Sequence, residues 1–143
     1  MKKSAIVLFL AAFFSFNAMA QTVQEGVGHL YAERYQSAKQ AFEKMTASNP
    51  NNLEAVYWLG QTMLAQNDVA GAKALYQRTL TANGNAPWIL AGMGHVNLLE
   101  GKSAEARQMF DAAVAASKGK KSNDPAILTA VARANVQSYT DQK

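Results

Sequence analysis

The chain has no cysteine. That removes disulfides, thiolate metal sites and a lipidated N-terminal cysteine, so packing alone must hold the fold. Histidine is nearly as scarce, with only His29 and His95. Neither stands in an HExxH, CxxC or carboxylate–histidine cluster, so no metal centre is legible. No G-x-S-x-G or comparable local motif gathers a nucleophile with its base. Beyond the first sixteen residues there is no hydrophobic run near the ~20 residues a spanning helix needs. A strong excess of one charge is also missing. The net charge of +4 includes Lys2 and Lys3, and nothing in that balance argues for a nucleic-acid partner.

What is present begins with a leader. Lys2 and Lys3 precede an apolar stretch from Ala5 to Phe16, and Ala18-Met19-Ala20 follows. A basic n-region, a short apolar h-region and an A-x-A end are the pattern of a secretory signal peptide over 1–20. Cleavage after Ala20 leaves Gln21 as a terminus able to cyclise, 123 of the 143 residues, and a charge of +2. A chain of that length supports one domain with its own core. The expected location is outside the cytoplasm, in a periplasm or secreted, with no transmembrane segment after cleavage.

The remainder repeats every 34 residues. Gly26, Gly60 and Gly94 share a column, as do Leu30, Leu64 and Leu98. Ala38, Ala72 and Ala106 form a third, and Phe42, Tyr76 and Phe110 a fourth of large aromatics. Each copy reads as two helices. In the second, Val56, Leu59, Met63 and Leu64 recur at helical spacing, Gln66-Asn67-Asp68 makes the turn, and Ala72, Leu75, Tyr76 and Leu80 resume on one face. SNPNN (48–52) and ANGNAP (82–87) supply helix-ending chemistry between copies. Small residues in the glycine and alanine columns let paired helices approach, and the aromatic fills the space beside them.

These columns resemble the tetratricopeptide repeat family. Leu59-Gly60, Ala72 and Tyr76 carry its spacing in the second copy. Met93-Gly94, Gly101, Ala106 and Phe110 carry it in the third, and Gly26, Tyr35, Ala38, Phe42 and Pro50 in the first. The family's tryptophan is replaced by Val56 and Leu90, and its final proline by Gly84 and Lys118. The resemblance implies an all-α, right-handed helical-hairpin solenoid of three repeats plus a final helix. The boundaries are a leader at 1–20 and a repeat domain at 21–143, with repeats near 22–52, 53–86 and 87–120 and a partial fourth over 124–140. The fourth copy shows as PAILTAVARANV against PWILAGMGHVNL. Its Ile127, Leu128, Val131 and Val136 read as one apolar stripe, with Arg133, Asn135, Gln137 and Ser138 as the polar side. This helix is either a cap or the start of further repeats.

The stretches GVGHL and GMGHV, each Gly-x-Gly-His, invite a phosphate-loop reading. Such a loop belongs between a strand and a helix, and these glycines lie inside helices. Only Gly26 and Gly94 share a column. Gly28 and Gly92 have no glycine partners and are expected to carry no repeat role. Lys118-Gly119-Lys120-Lys121 reads as a solvated loop. In relatives, the first helices of successive repeats line a concave groove that takes partner segments. The positions this implies here are Tyr31, Glu54, Tyr57, Trp58, Gln61, Trp88, His95 and Arg133, while Tyr57, Trp58 and Trp88 are read equally as inter-repeat core. The lysine–asparagine set that clamps a C-terminal carboxylate in some relatives is missing. The expected function is a non-catalytic scaffold of the bacterial cell envelope that binds a protein or peptide, without cofactor or metal. The alternative is the N-terminal part of a longer exported protein with its activity in a later domain.

Overall fold

A computed structural model describes residues 22–119 and 123–141. The leader at 1–20 and Lys120-Lys121 of the basic loop lie outside the described residues. Seven helices follow one another among the described residues: α1 (Val23–Tyr31), α2 (Tyr35–Ser48), α3 (Leu53–Ala65), α4 (Val69–Ala82), α5 (Pro87–Leu99), α6 (Ser103–Ala116) and α7 (Pro125–Asp141). The fold is an all-α solenoid of three helical hairpins and a last helix. No described helix is long and apolar enough to cross a membrane.

Local chemistry sets the helix ends. Thr22 and Glu25 form a capping box on α1, each side chain bonding the other's backbone N–H at 3.2 Å. The Asn52 and Asp68 side chains accept from Ala55 and Gly71 N–H at the starts of α3 and α4. Pro87 and Pro125 open α5 and α7, where a missing N–H costs nothing. The first helix of each hairpin ends in one repeated geometry. Glu33, Asn67 and Gly101 have φ of 57°, 63° and 75°, and they sit one repeat apart. Arg34, Asp68 and Lys102 N–H then bond back to His29, Met63 and Asn97 carbonyls at 2.9, 2.9 and 2.8 Å. This is a Schellman end made three times. Only the third copy uses glycine for it, so the backbone repeats more faithfully than the sequence.

The columns pack as ring on glycine. Ala38, Ala72 and Ala106 are fully buried, as are Phe42 and Tyr76, with Phe110 nearly so. A Cβ at Gly26 would lie 2.6 Å from Phe42, and one at Gly60 or Gly94 would overlap Tyr76 or Phe110. The glycines therefore admit the partner helix's ring as well as its backbone. Gly92 requires a correction to the sequence reading, because a Cβ there would stand 2.5 Å from Tyr76. Tyr76 thus lies between Gly60 of its own hairpin and Gly92 of the next. Gly28 has nothing within 4 Å of such a Cβ, in line with its empty column.

The stripe expected on α7 also divides differently. Ile127, Ala130, Ala134 and Ser138 are buried, while Leu128 and Val136 are 43% and 65% exposed. Ile127 and Ala130 join the main core, and Ala134 packs with Ala106 and Phe110. Alanine and serine face inward because α7 lies close on its neighbours, where larger side chains have no room. Glu100 bonds Lys73 of the preceding hairpin and Lys102 of its own turn, both at 2.7 Å. Those hydrogen bonds, Lys102's first, hold its carboxyl below the usual range, but an exposed pair of this kind adds little stability.

The glycines give a test. Gly28→Ala should stabilise the fold by about 0.5–1 kcal/mol, the helix-propensity gain unopposed. Gly26→Ala and Gly92→Ala should instead destabilise by about 1–3 kcal/mol, because the aromatic must move. Urea denaturation of the three variants decides it, and equal effects at 26 and 28 would contradict the packing described.

Candidate functional site

The first helices of the hairpins, α1, α3 and α5, stand side by side with α7 in one row. Arg133 on α7 reaches back across that row, its guanidinium carbon 4.6 Å from the Trp58 ring centre and 5.9 Å from that of Tyr31. A contact between the fourth helix of the row and the first requires the row to curve inward. The hollow of that curve is a cavity of about 270 Å³. Its walls come from all four of these helices and from Tyr35 at the start of α2.

The residues expected in a groove divide into two sets. Tyr31, Trp58, Gln61, His95 and Arg133 line the cavity. Tyr57, Trp88 and Glu54 do not. Tyr57 is 1% exposed, its ring 5.1 Å from Trp58 and 5.0 Å from Trp88, so it packs between successive repeats. Trp88 is half-buried against it, and Glu54 is half-buried near the start of α3. Tyr31 is 63% exposed at the rim. Sequence reasoning missed Leu30, Leu64 and Leu99, which give the hollow its apolar wall, and Gln137 beside Arg133. Leu30 and Leu64 were visible as a repeat column, although the third wall position is Leu99 and not the column's Leu98, which packs toward Phe110.

Beneath the cavity runs a buried polar chain. The Tyr76 hydroxyl is 2.7 Å from the Tyr57 carbonyl, which can only accept, so the hydroxyl donates to it. Gln61 Nε2 then donates to the Tyr76 oxygen at 3.1 Å. That orients Gln61 Oε1 toward His95 Nδ1 at 2.9 Å, and His95 carries its proton on Nδ1. Gln61 and His95 lie one repeat apart, so the bond joins equivalent positions of adjacent first helices. Phe42 and Phe110 occupy the aromatic column in the other copies, and only the Tyr76 hydroxyl connects to the chain. Among the described residues, two other buried atoms, Trp58 Nε1 and His29 Nδ1, have no hydrogen-bond partner.

Electrostatically the hollow holds one fixed cation. Arg133 is half-buried and forms no ion pair among the described residues. Burial pushes the Tyr57 hydroxyl up to about 12 despite the opposing pull of Arg133, which also hydrogen-bonds it. Burial raises Tyr76 well above the ordinary tyrosine value. Among the described residues no group of three or more His, Cys, Asp or Glu is placed to hold a metal. The arrangement provides apolar contact, aromatic faces, amide and guanidinium donors.

The buried tyrosines predict an alkaline weakness. Their folded-state values lie above the unfolded value of 10.0, so their contribution is complete below pH 10. It falls as the unfolded chain ionises first, through the window from 10 to about 12 for Tyr57. Stability from urea melts should be level from pH 8 to 9.5 and decline above 10, less steeply in Tyr57→Phe. Tyr76→Phe should in addition cost about 1–3 kcal/mol at pH 8, because it strands the Gln61 amide.

Comparison with known proteins adds one finding. Residues 29–91 match the family model described as tetratricopeptide repeat. That span runs from the end of α1 through α2, α3 and α4 into α5. No match to a curated protein was found. Proteins of this family mediate protein–protein interaction and are typically non-catalytic scaffolds. Together with the three glycine-on-ring hairpins, this match supports the tetratricopeptide repeat family for the matched span.

Proposed function

We propose that this protein is an exported, non-catalytic scaffold of the bacterial cell envelope that binds a protein segment in the hollow of its first helices. The observation that carries the reading is the cavity itself. It is walled by four helices of one row, bears an exposed aromatic at Tyr31 and, at Arg133, a cation with no ion-pair partner among the described residues, and lies over the hydrogen-bonded chain of Tyr76, Gln61 and His95. A rigid floor supports binding because little order is lost when a partner settles on it. The export half of the reading rests on the 1–20 leader alone.

Site-specific photo-crosslinking tests the binding. A benzophenone side chain in place of Tyr31 should capture a protein partner in cells, and the same group at the exposed Gln77 on the outer row should not. The Ala65→Trp change fills the rim without touching the core and should abolish the Tyr31 adduct. Equal capture from both positions would sink the groove assignment. Mass measurement of the exported protein should find residues 1–20 removed and Gln21 at the terminus, and a retained leader would refute the export reading.

A second reading has one observation in its favour. The side of α7 bearing Leu128, Val136 and Tyr139 is exposed, whereas α1, α3 and α5 are each covered by a second helix. A covering helix from later residues of a longer exported protein would bury it.

A further inference from the structure

We infer that the segment held in the hollow is an extended stretch of a partner protein that presents an acidic side chain to Arg133, with apolar residues beside it. This rests on the groove reading above and names the chemistry of its occupant.

The argument starts from what Arg133 lacks. A guanidinium has five N–H donors and a permanent charge. Here it meets the rings of Trp58 and Tyr31 and the Tyr57 hydroxyl, and no carboxylate lies within ion-pair distance among the described residues. Ring contacts of this kind attract the cation without engaging its donors one by one. One hydrogen bond leaves most of the donors for whatever enters the cavity that Arg133 lines. A half-buried cation is costly to leave unpaired, and a carboxylate arriving in partly desolvated surroundings gains a charge-assisted bond.

The lining adds little opposing charge. Glu33 is its one carboxylate, exposed at the rim and not paired with Arg133. Three helix C-termini reach this rim, which by itself favours cations. Part of that field is met locally, because the His29, Met63 and Asn97 carbonyls accept from Arg34, Asp68 and Lys102, and those of Leu30, Leu64 and Leu98 from Glu33, Asn67 and Gly101. Leu30, Leu64 and Leu99 complete the wall, so an apolar neighbour of the acid has a place to go. A volume of about 270 Å³ with one cation suits a side chain or two entering from a segment laid along the groove. A chain end would bring its terminal peptide group as well, with no second cation to meet it.

The test selects binders from a displayed library of random twelve-residue peptides against the purified chain, followed by calorimetric titration of the enriched peptides. Enrichment of Asp or Glu beside apolar residues is expected. Glu→Gln or Asp→Asn in the peptide should weaken binding about tenfold or more, and Arg133→Gln should weaken it by a similar factor. Combining the two should cost little further, the mark of a direct pair. Arg133→Lys should recover part of the affinity, and Ala65→Trp should remove it. Should Arg133→Gln unfold the chain, the peptide-side exchange on the unaltered chain carries the result. Groove binders without an acid, or binders that need only a free C-terminal carboxylate, would overturn the inference and leave the groove reading intact. A dimer dissolved by Ala65→Trp would seat a second copy there and overturn it too. Peptides indifferent to Ala65→Trp, or no enrichment, would overturn both readings.

Discussion

The placement of one ring governs much of this molecule. Tyr76 fills hollows left by Gly60 in its own hairpin and Gly92 in the next, so its ring fixes the spacing of α3, α4 and α5 together. Its hydroxyl cannot remain unpaired at full burial, because an unmet polar group there costs about 1–3 kcal/mol. It is met by the Tyr57 carbonyl and the Gln61 amide, and the amide in turn orients His95. The same side chain therefore sets the distance between repeats and the floor of the cavity. In the first and third hairpins, Phe42 and Phe110 fill the glycine hollow with no hydroxyl to satisfy, and there the aromatic column performs packing alone.

Why the fold was readable and the site only partly so follows from period. Packing residues recur because each hairpin solves the same contact: a ring needs a missing Cβ opposite, so Gly26, Gly60 and Gly94 must repeat. The left-handed turn also recurs at Glu33, Asn67 and Gly101, but its geometry tolerates three different residues, so its column was invisible. Gly92 was misread for the opposite reason. It answers a ring from the preceding hairpin, and its counterpart one repeat earlier is Trp58, so no column marks it. Functional positions need not repeat at all. Arg133 became meaningful only once α7 was seen to reach Tyr31 across the curved row.

The aromatic residues show how periodic position and exposure part company. Tyr57 and Trp58 are neighbours on α3, and both stood as groove or core on sequence. Successive helical residues point about 100° apart, so a narrow hollow cannot contain both. Tyr57 turns into the joint with Trp88, and Trp58 meets Arg133 at the cavity wall. Trp58 remains a core residue as well, 6% exposed, so one residue of register separates a ring wholly in the joint from one that shares core and cavity wall. Glu54 and Trp88 stay off the wall on the same grounds, lying nearer the starts of α3 and α5 while the hollow forms toward their ends.

That position of the hollow has a consequence for how the scaffold keeps its shape. Its rim is built where α1, α3 and α5 terminate, and three equivalent backbone turns lock those ends. Its depth is set by a polar chain with each link bonded, and its width by a cation held between rings from α1 and α3. Cation–π contacts are worth about 0.5–2 kcal/mol each, less than the burial of a large side chain. The width is therefore the softest of the three dimensions. A segment that draws Arg133 from the rings would widen the hollow while its floor and rim stayed fixed. Rigidity beneath and compliance across the opening are what the segment binding proposed above would require.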